Sequence, residues 1–363
     1  MLLLLGMAEK VFTASVVGID GVLVTVEADT ANAIPSFTIV GLPDMAVKEA
    51  RERIRAAIKN SGYAFPRARV TVNLAPADVR KEGAAFDLPI AVAILLASDA
   101  FRGRVDPALL SHALVVGELG LSGEVRPVSG VLVVAACGVA SGKTLLYCPP
   151  ENVHEARLVQ ACTVVPTPSI RALMEHCVGA ERLMPNTDLL DLSASSVPSF
   201  VDCAHIVGNE QAKRALVVAA AGNHNLLMVG PPGSGKTMLA RALPGIMPAL
   251  TNEEMQEVTR IWSVAGLLSA TVPWMRDRPF RDPHHSSSLV ALVGGGSNPR
   301  PGEVSLSHRG VLFLDEFPEF PRAVLESLRQ PLEMGSVTIA RANDHVVFPS
   351  RFLLVAAQNP CPC

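Results

Sequence analysis

The stretch LLMVGPPGSGKT, residues 226–237, constrains the fold of this chain more than any other feature. It begins with an apolar run of the length of a buried strand and continues into a turn rich in glycine and proline. The residues that follow, MLARAL, are good helix formers. Together they match the G-x-x-x-x-G-K-[ST] pattern in the order strand, loop, helix. The pattern predicts a P-loop module of the α/β class, with a central parallel sheet flanked by helices.

The residue types of this loop suit the binding of ATP with Mg²⁺. Its glycines let backbone N–H groups approach phosphate oxygens closely, and the following helix directs its positive dipole end at them. Lys236 is predicted to contact the β- and γ-phosphates, and the Thr237 hydroxyl is predicted to ligate Mg²⁺. The residues predicted to bind the nucleotide are Gly230, Pro231, Pro232, Gly233, Ser234, Gly235, Lys236, Thr237 and Met238.

A second G-K-T sequence, at 142–144, is predicted not to bind phosphate. The position at which the pattern requires its first glycine is occupied by Cys137. A helix-like stretch precedes this sequence and a strand-like one follows it, which reverses the order that a phosphate cradle needs. We interpret Lys143 as an ordinary loop residue.

Two further segments are predicted to complete the nucleotide site. The apolar strand 311–314 is followed by Asp315, predicted to hold Mg²⁺ through its water shell, and by Glu316, predicted to polarise the attacking water. Asn359 stands at the end of the predicted strand 352–357, where its amide can orient water, because the carboxyl ends of parallel strands converge on the ligand. The predicted catalytic residues are Lys236, Glu316 and Asn359, and the predicted metal ligands are Thr237 and Asp315.

Composition limits the other possibilities. The 363 residues, 49% of them hydrophobic, are enough for two domains. The formal net charge of −3, from 31 basic and 34 acidic residues, excludes an overall basic footprint, so any DNA contact must come from local patches. The seven cysteines show no secretory pattern, and the initial apolar run MLLLL is too short to span a membrane. We therefore expect a cytoplasmic protein without a membrane partner.

The N-terminal half, residues 7–180, is predicted to be an α/β or α+β domain, and residues 181–200 a linker. Strand-like and helix-like patterns mix along this half, and Asp44 is a predicted N-cap. The predicted strands are 10–17, 21–28, 37–40, 69–74, 114–117 and 144–148, and the predicted helices are 45–60, 87–97 and 153–159.

Two segments of this half, KEGAAFDL at 81–88 and the residues at 115–152, resemble the proteolytic domain of Lon-type proteases. The resemblance implies a serine nucleophile at the position of Ala85 and a lysine base in the region of Leu132–Val134. Methyl groups cannot replace a hydroxyl and an amine in acyl transfer. We predict a protease-like fold without protease chemistry.

One helix of this half carries a basic face. Lys48, Arg51, Arg55 and Lys59 recur at spacings of three and four residues, which places them on one side of a helix. Such a face is either an ordinary solvated surface or a contact for phosphate backbones.

The C-terminal half, residues 201–363, is predicted to be the P-loop module. Residues 263–310 are rich in glycine, serine and proline, which predicts a long loop that is either functional or disordered. The other predicted elements are helices at 208–221, 252–260 and 323–333, a hairpin formed by 337–340 and 345–348, and a strand at 352–357.

The segments FRDPHHSSS, SLSHRGVLFLDEF, LRQPLEMG and AAQNPCPC, in this order, resemble the magnesium-chelatase-like AAA+ ATPases called ComM or YifB. The resemblance covers nearly the whole chain and implies a ring-forming ATPase, a hexamer in the ComM case, that drives branch migration of DNA. It implies that an insert at 263–303 and a hairpin at 336–349 face the DNA. It also identifies Asn359 with the sensor-one residue of the family.

The resemblance also defines what this sequence does not contain. The family pattern continues beyond residue 363 with an arginine finger and a helical lid, so we expect this chain to be truncated and to hydrolyse ATP poorly. Cys361 and Cys363 are either half of a zinc site or two unpaired thiols. Alternative functions are the ATPase subunit of a metal-insertion complex, an ATP-dependent protease, and an ATPase that acts on another partner.

Overall fold

The computed structural model describes residues 9–105, 107–187, 201–268, 272–296, 299–340 and 345–360. Contacts divide the chain into two compact units. The front unit lies within residues 1–190 and includes Gly266–Pro273, and the P-loop unit lies within 191–265 and 274–363. Among the described residues, no helix combines the length and the apolar character needed to cross a membrane.

The front unit is built on a seven-stranded sheet with the order β3-β4-β2-β1-β5-β8-β9. Strand β2 is antiparallel to both of its neighbours, and the other neighbours in the sheet are parallel. The strands are β1 (Glu9–Val17), β2 (Asp20–Ala31), β3 (Ser36–Val40), β4 (Arg69–Ala75), β5 (Ala113–Val115), β6 (Glu118–Leu119), β7 (Val125–Arg126), β8 (Leu145–Cys148) and β9 (Thr163–Pro166). The helices are α1 (Met45–Asn60), α2 (Asp87–Ala97), α3 (Pro107–Ser111), α4 (Val131–Ala140), α5 (Val153–Ala156) and α6 (Ile170–Cys177).

The two long helices of this unit begin and end where the sequence predicts. Asp44 caps α1, because its carboxylate accepts a hydrogen bond of 2.7 Å from the Val47 N–H. Helix α2 is apolar on all sides and buried along its whole length, so it forms the centre of the core. The predicted helix 153–159 is wrong in length: α5 ends at Ala156 after a single turn.

A buried ion pair joins the two helices. The Arg53 guanidinium donates to both carboxylate oxygens of Asp87, at 2.6 and 3.1 Å, and the Leu119 N–H donates to the same carboxylate. Burial nevertheless raises the pKa of Asp87 to about 6. Arg53 lies beside the predicted basic face, but its guanidinium is paired with Asp87 inside the protein.

The predicted basic face of α1 is partly engaged in local contacts. Arg51 donates to the Phe37 carbonyl at 3.3 Å, and the Arg55 guanidinium lies 4.9 Å from the centre of the Phe65 ring. Lys59 is exposed, and the side chain of Lys48 lies outside the described part of the structure. Contact of this face with phosphates stays a prediction.

The P-loop unit contains a four-stranded parallel sheet with the order β10-β17-β14-β11. Helices α7 and α8 pack with this sheet around one apolar core. The strands are β10 (Leu226–Val229), β11 (Phe280–Arg281), β12 (Gly294–Gly295), β13 (Arg300–Pro301), β14 (Val311–Leu314), β15 (Ser336–Ala340), β16 (His345–Pro349) and β17 (Leu353–Gln358). The helices are α7 (Glu210–Gly222), α8 (Lys236–Ile246), α9 (Asn252–Ala265), α10 (Leu289–Val293), α11 (Glu303–Leu306), α12 (Arg322–Ser327) and α13 (Arg329–Met334).

Several predictions for this unit are confirmed and others are wrong. The P-loop strand, strand β14 and the hairpin β15–β16 form as predicted. Helix α9 continues to Ala265, five residues beyond its predicted end at Arg260. The single helix predicted at 323–333 is two helices, α12 and α13, because Pro331 has no N–H to donate to the carbonyl of Ser327.

The predicted long loop 263–310 contains an unexpected strand of the central sheet. Strand β11 pairs with β14 through Phe280 and Arg281. It carries only two residues and stands between Pro279 and the Asp282-Pro283 pair, so it has too few residues to show a periodic pattern. Short helices and the β12–β13 ribbon lie in the same region.

Candidate nucleotide site

The P-loop connects the end of β10 to the start of α8. Gly233 and Gly235 have φ angles of 78° and 87°, a left-handed conformation that glycine adopts without strain. The Gly230 N–H donates to the Gln358 carbonyl at 3.3 Å, which joins the start of the loop to the end of β17. The hydroxyl of Ser234 is buried within the loop and has no hydrogen-bond partner in the described structure. A polar loop with an unpaired donor fits a phosphate ligand.

Lys236 and Asn359 meet at the carboxyl end of the sheet. The Lys236 ammonium donates to the carbonyls of Gly230 and Pro231, at 2.7 and 3.1 Å, and to Oδ1 of Asn359 at 3.1 Å. Its three protons therefore have three neutral acceptors. An anionic phosphate oxygen is a stronger acceptor than any of them, so the ammonium is held where it can exchange a carbonyl for a phosphate.

Thr237 and Asp315 also meet. The Thr237 hydroxyl donates to Oδ2 of Asp315 at 3.0 Å, and Oδ1 of Asp315 accepts the N–H of Glu316 at 2.9 Å. A hydroxyl and a carboxylate are oxygen ligands of the kind that Mg²⁺ prefers, directly or through water. The described structure therefore brings the two predicted metal ligands into direct contact.

Glu316 has an unusual backbone conformation. Its φ and ψ angles are 51° and 44°, in the left-handed region, and its side chain is about half exposed. Non-glycine residues in this region cost about 1–3 kcal/mol and cluster at functional sites. In this conformation Glu316 is the N-cap of the 3₁₀ turn Phe317–Glu319, which is the next element after β14.

His285 is a residue that sequence reasoning did not assign. Its Nδ1 lies 3.1 Å from Oε2 of Glu316. Its ring lies beside that of His284, with centroids 4.0 Å apart and planes tilted by 35°, and makes a T-shaped contact with Phe320. His285 belongs to the segment FRDPHHSSS, and no local pattern identifies Glu316 as its partner, because the two residues are far apart in the chain. The loop after β11 thus reaches the predicted catalytic carboxylate.

Asp282, in the same segment, forms a second link to the site. The Arg241 guanidinium lies 3.5 Å from its carboxylate. Burial, and to a smaller extent the charge of Asp315, raises the pKa of Asp282, while Arg241 opposes the shift. The segment is therefore anchored to both α8 and the region of β14.

The remaining predicted nucleotide ligands lie at the surface. Pro231, Pro232 and Gly233 are exposed, and Met238 is half-exposed in the first turn of α8. Their contact with a nucleotide stays a prediction. Cys361 and Cys363, predicted as either zinc ligands or free thiols, lie outside the described residues.

The second G-K-T sequence stands between a helix and a strand in the order predicted for a sequence that does not bind phosphate. Helix α4 precedes it and strand β8 follows it. The Lys143 amine lies 3.6 Å from the centre of the Phe12 ring and donates to the Ser111 carbonyl. This lysine is a structural residue of the front unit.

The two protease-like positions of the front unit lie in apolar surroundings. Ala85, in a 3₁₀ turn before α2, packs against a cluster that contains Val131 and Val134 of α4. The buried Lys81 amine, the nearest lysine in sequence, donates to the Pro76 carbonyl, and burial lowers its pKa. The residues at these positions offer neither a nucleophile nor a base.

Comparison with known proteins identifies the family. The family described as "Magnesium chelatase, subunit ChlI" matches residues 202–363, and the one described as "Subunit ChlI of Mg-chelatase" matches residues 26–152. "Competence protein ComM" of Haemophilus influenzae is 46% identical over 354 residues, which cover 97% of this chain and 68% of that protein. The chain belongs to the ComM/YifB family of magnesium-chelatase-like AAA+ proteins. "Uncharacterized protein YifB" of Escherichia coli is 44% identical over 97% of this chain and 68% of its own length.

A more distant likeness is confined to part of the chain. "Magnesium-chelatase 67 kDa subunit" of Chlorobaculum tepidum is 28% identical over 160 residues, which are 43% of this chain and 23% of that protein. The ComM/YifB relatives, in contrast, match both units. The predicted family resemblance is therefore confirmed.

Proposed function

We propose that this chain binds ATP with Mg²⁺ at the P-loop and hydrolyses it to drive movement on DNA. The proposal includes a ring of copies, a hexamer by family resemblance, in the cytoplasm. The observation that carries the ATPase part is the convergence of four predicted residues in two contacts at the end of the sheet, those of Lys236 with Asn359 and of Thr237 with Asp315. These side chains come from three separate segments, the start of α8 and the residues that follow β14 and β17, and a P-loop ATPase needs this combination.

Each side chain has a role in the proposed reaction. Lys236 exchanges its loop carbonyls for phosphate oxygens, and Thr237 and Asp315 hold the metal ion. Bound Mg²⁺ neutralises charge on the β- and γ-oxygens. Glu316 accepts the proton of the attacking water, and Asn359 orients that water with its amide.

The DNA part of the proposal rests on the relative named as a competence protein and on the elements that the family resemblance assigns to DNA. Arg300 in β13 is an exposed cation within the predicted insert. The turn of the predicted hairpin, residues 341–344, lies outside the described residues. The chain as a whole is slightly acidic, so contacts with DNA phosphates would have to come from local cations of this kind.

We expect duplex or branched DNA to bind the chain and to increase its ATP hydrolysis. The affinity for DNA should fall as the salt concentration rises. Arg300→Ala should lower the affinity and reduce the slope of log affinity against log salt concentration by the equivalent of about one phosphate contact. Fluorescence anisotropy of labelled DNA at several salt concentrations measures this effect. Arg322→Ala is the matched control, because Arg322 is exposed and its ion-pair partner within the described part of the chain is Glu326 on its own helix. Hydrolysis and binding that are indifferent to DNA would contradict the proposal.

The second candidate is an ATPase that serves metal insertion into a tetrapyrrole. Both family descriptions and the 28% identical chelatase subunit favour it. It predicts that hydrolysis responds to a magnesium chelatase partner with its tetrapyrrole, and not to DNA. The same hydrolysis assay with either addition therefore distinguishes the two functions.

A protease function is not expected. Because Ala85 packs against valines, the chain should cleave no fluorogenic peptide or casein, with or without ATP, and should not react with a serine-directed phosphonate. Ala85→Ser should remain inactive, since it supplies a hydroxyl without a base. Covalent labelling of the unmodified chain would contradict this expectation, because it would show a reactive nucleophile at another position.

A further inference from the structure

The front unit contains a cavity of about 610 Å³ that the proposed ATPase chemistry does not use. Strands β8 and β9 form its floor, and helix α6 and the residues after it form one wall. This volume lies within the range of about 300–1,000 Å³ that is typical of small-molecule sites. Its apolar lining comes from Leu109, Leu145, Val165, Cys177, Val178, Leu183, Met184 and Pro185.

A buried tyrosine provides a directed hydrogen-bond donor in this cavity. The Tyr147 side chain is fully buried, and its hydroxyl lies 2.9 Å from Nε2 of His176. Nδ1 of the same ring accepts the Leu183 N–H at 3.1 Å, so the proton of the neutral imidazole is on Nε2 and is donated to the tyrosine oxygen. The hydroxyl proton of Tyr147 then has no acceptor within the described residues and is available to a ligand.

The protonation states agree with this arrangement. Burial, with a smaller contribution from the charge of Arg182, lowers the pKa of His176, so the imidazole is neutral near pH 7. Burial raises the pKa of the Tyr147 hydroxyl, which therefore remains a donor. The thiol of Cys177 also stays protonated, because burial raises its pKa to about 12.

Two arginines give the cavity its charge. Arg104 and Arg182 line it, and neither guanidinium has an ion-pair partner among the residues that the structure describes. Among the residues that the structure describes, no aspartate or glutamate lines the cavity. The polar groups that can bind a ligand here, two guanidinium groups and one hydroxyl proton, are donors. Both nitrogens of the His176 ring are already engaged, and apart from Gly179 the other side chains of the lining are apolar.

From this complementarity we propose that the cavity binds a small organic anion with an apolar body. The carboxylate or other anionic head accepts hydrogen bonds from the Tyr147 hydroxyl and from the guanidinium groups. The hydrocarbon part packs against Leu145, Val165 and Leu183 on the floor and wall. This site lies wholly within the front unit and is independent of the proposed ATPase function.

Isothermal titration calorimetry of the whole chain with decanoate, below its micelle concentration, tests the proposal. Decyltrimethylammonium, which has the same tail length and the opposite charge, is the matched ligand control. Decanoate should bind with one site per chain, and the cation should not bind. Tyr147→Phe should weaken decanoate binding about tenfold or more, because it deletes a hydrogen bond to a charged group.

Arg182→Gln is the second variant, since its exposed side chain can be changed without loss of folding, and it should also weaken decanoate binding several-fold. Arg67→Gln, an exposed arginine outside the cavity lining, should leave the affinity unchanged. Near-ultraviolet circular dichroism checks that each variant is folded. The proposal is overturned if decanoate does not bind, if the cation binds equally well, or if Arg182→Gln binds decanoate like the unmodified chain.

Discussion

Replacing Lys236 by alanine is expected to abolish the binding of Mg-ATP while the protein stays folded. The ammonium donates to Gly230, Pro231 and Asn359. In the proposed complex it redirects some of these hydrogen bonds to phosphate oxygens. A hydrogen bond to a charged group contributes about 1.5–3 kcal/mol, so the loss of more than one should weaken binding at least about a hundredfold. Titration with a fluorescent ATP analogue in the presence of Mg²⁺ measures the change.

The chain supplies its own control for this experiment. Lys143 stands in the second G-K-T sequence, where its amine contacts Phe12 and the Ser111 carbonyl. Lys143→Ala should leave the affinity for the nucleotide unchanged, even if it lowers the melting temperature of the front unit. Equal affinity of Lys236→Ala and the unmodified chain would show that the nucleotide binds elsewhere.

The elements that the sequence predicted well are those whose signals are local. Helix α1 has a capping residue at Asp44, a periodic apolar face and a clear end, and helix α2 is a continuous apolar run with a polar start. Strand β14 is an apolar run followed at once by two acidic residues, which marks both its end and its position at the site. In these segments the residues of the element itself, together with those that flank it, are enough to predict its type and its ends.

The features that the sequence did not predict depend on distant partners. Strand β11 is held in the sheet by β14, about thirty residues further along, and two residues are too few to show alternation. The contact of His285 with Glu316 likewise depends on where β11 brings the loop that follows it. The break between α12 and α13, in contrast, had a local signal in Pro331 that the prediction of one helix ignored.

Replacing Glu316 by glutamine is expected to separate binding from catalysis. Glutamine has nearly the same size as glutamate and can still bond to His285, but it cannot accept the proton of the attacking water. The nucleotide affinity should therefore be preserved, and the rate of hydrolysis should fall by about 10²–10⁴, the usual contribution of a general base, below the slow rate that we expect of the unmodified chain. Phosphate release at saturating ATP, together with the fluorescent nucleotide titration, measures both quantities.

Glu319→Gln is the matched control, because Glu319 is an exposed carboxylate in the same short turn after β14. Its hydrolysis rate should equal that of the unmodified chain, which would exclude a general effect of removing negative charge near the site. If Glu316→Gln hydrolyses ATP as fast as Glu319→Gln, another residue is the general base. The contact between Glu316 and His285 would then stabilise the loop after β11 and have no part in catalysis.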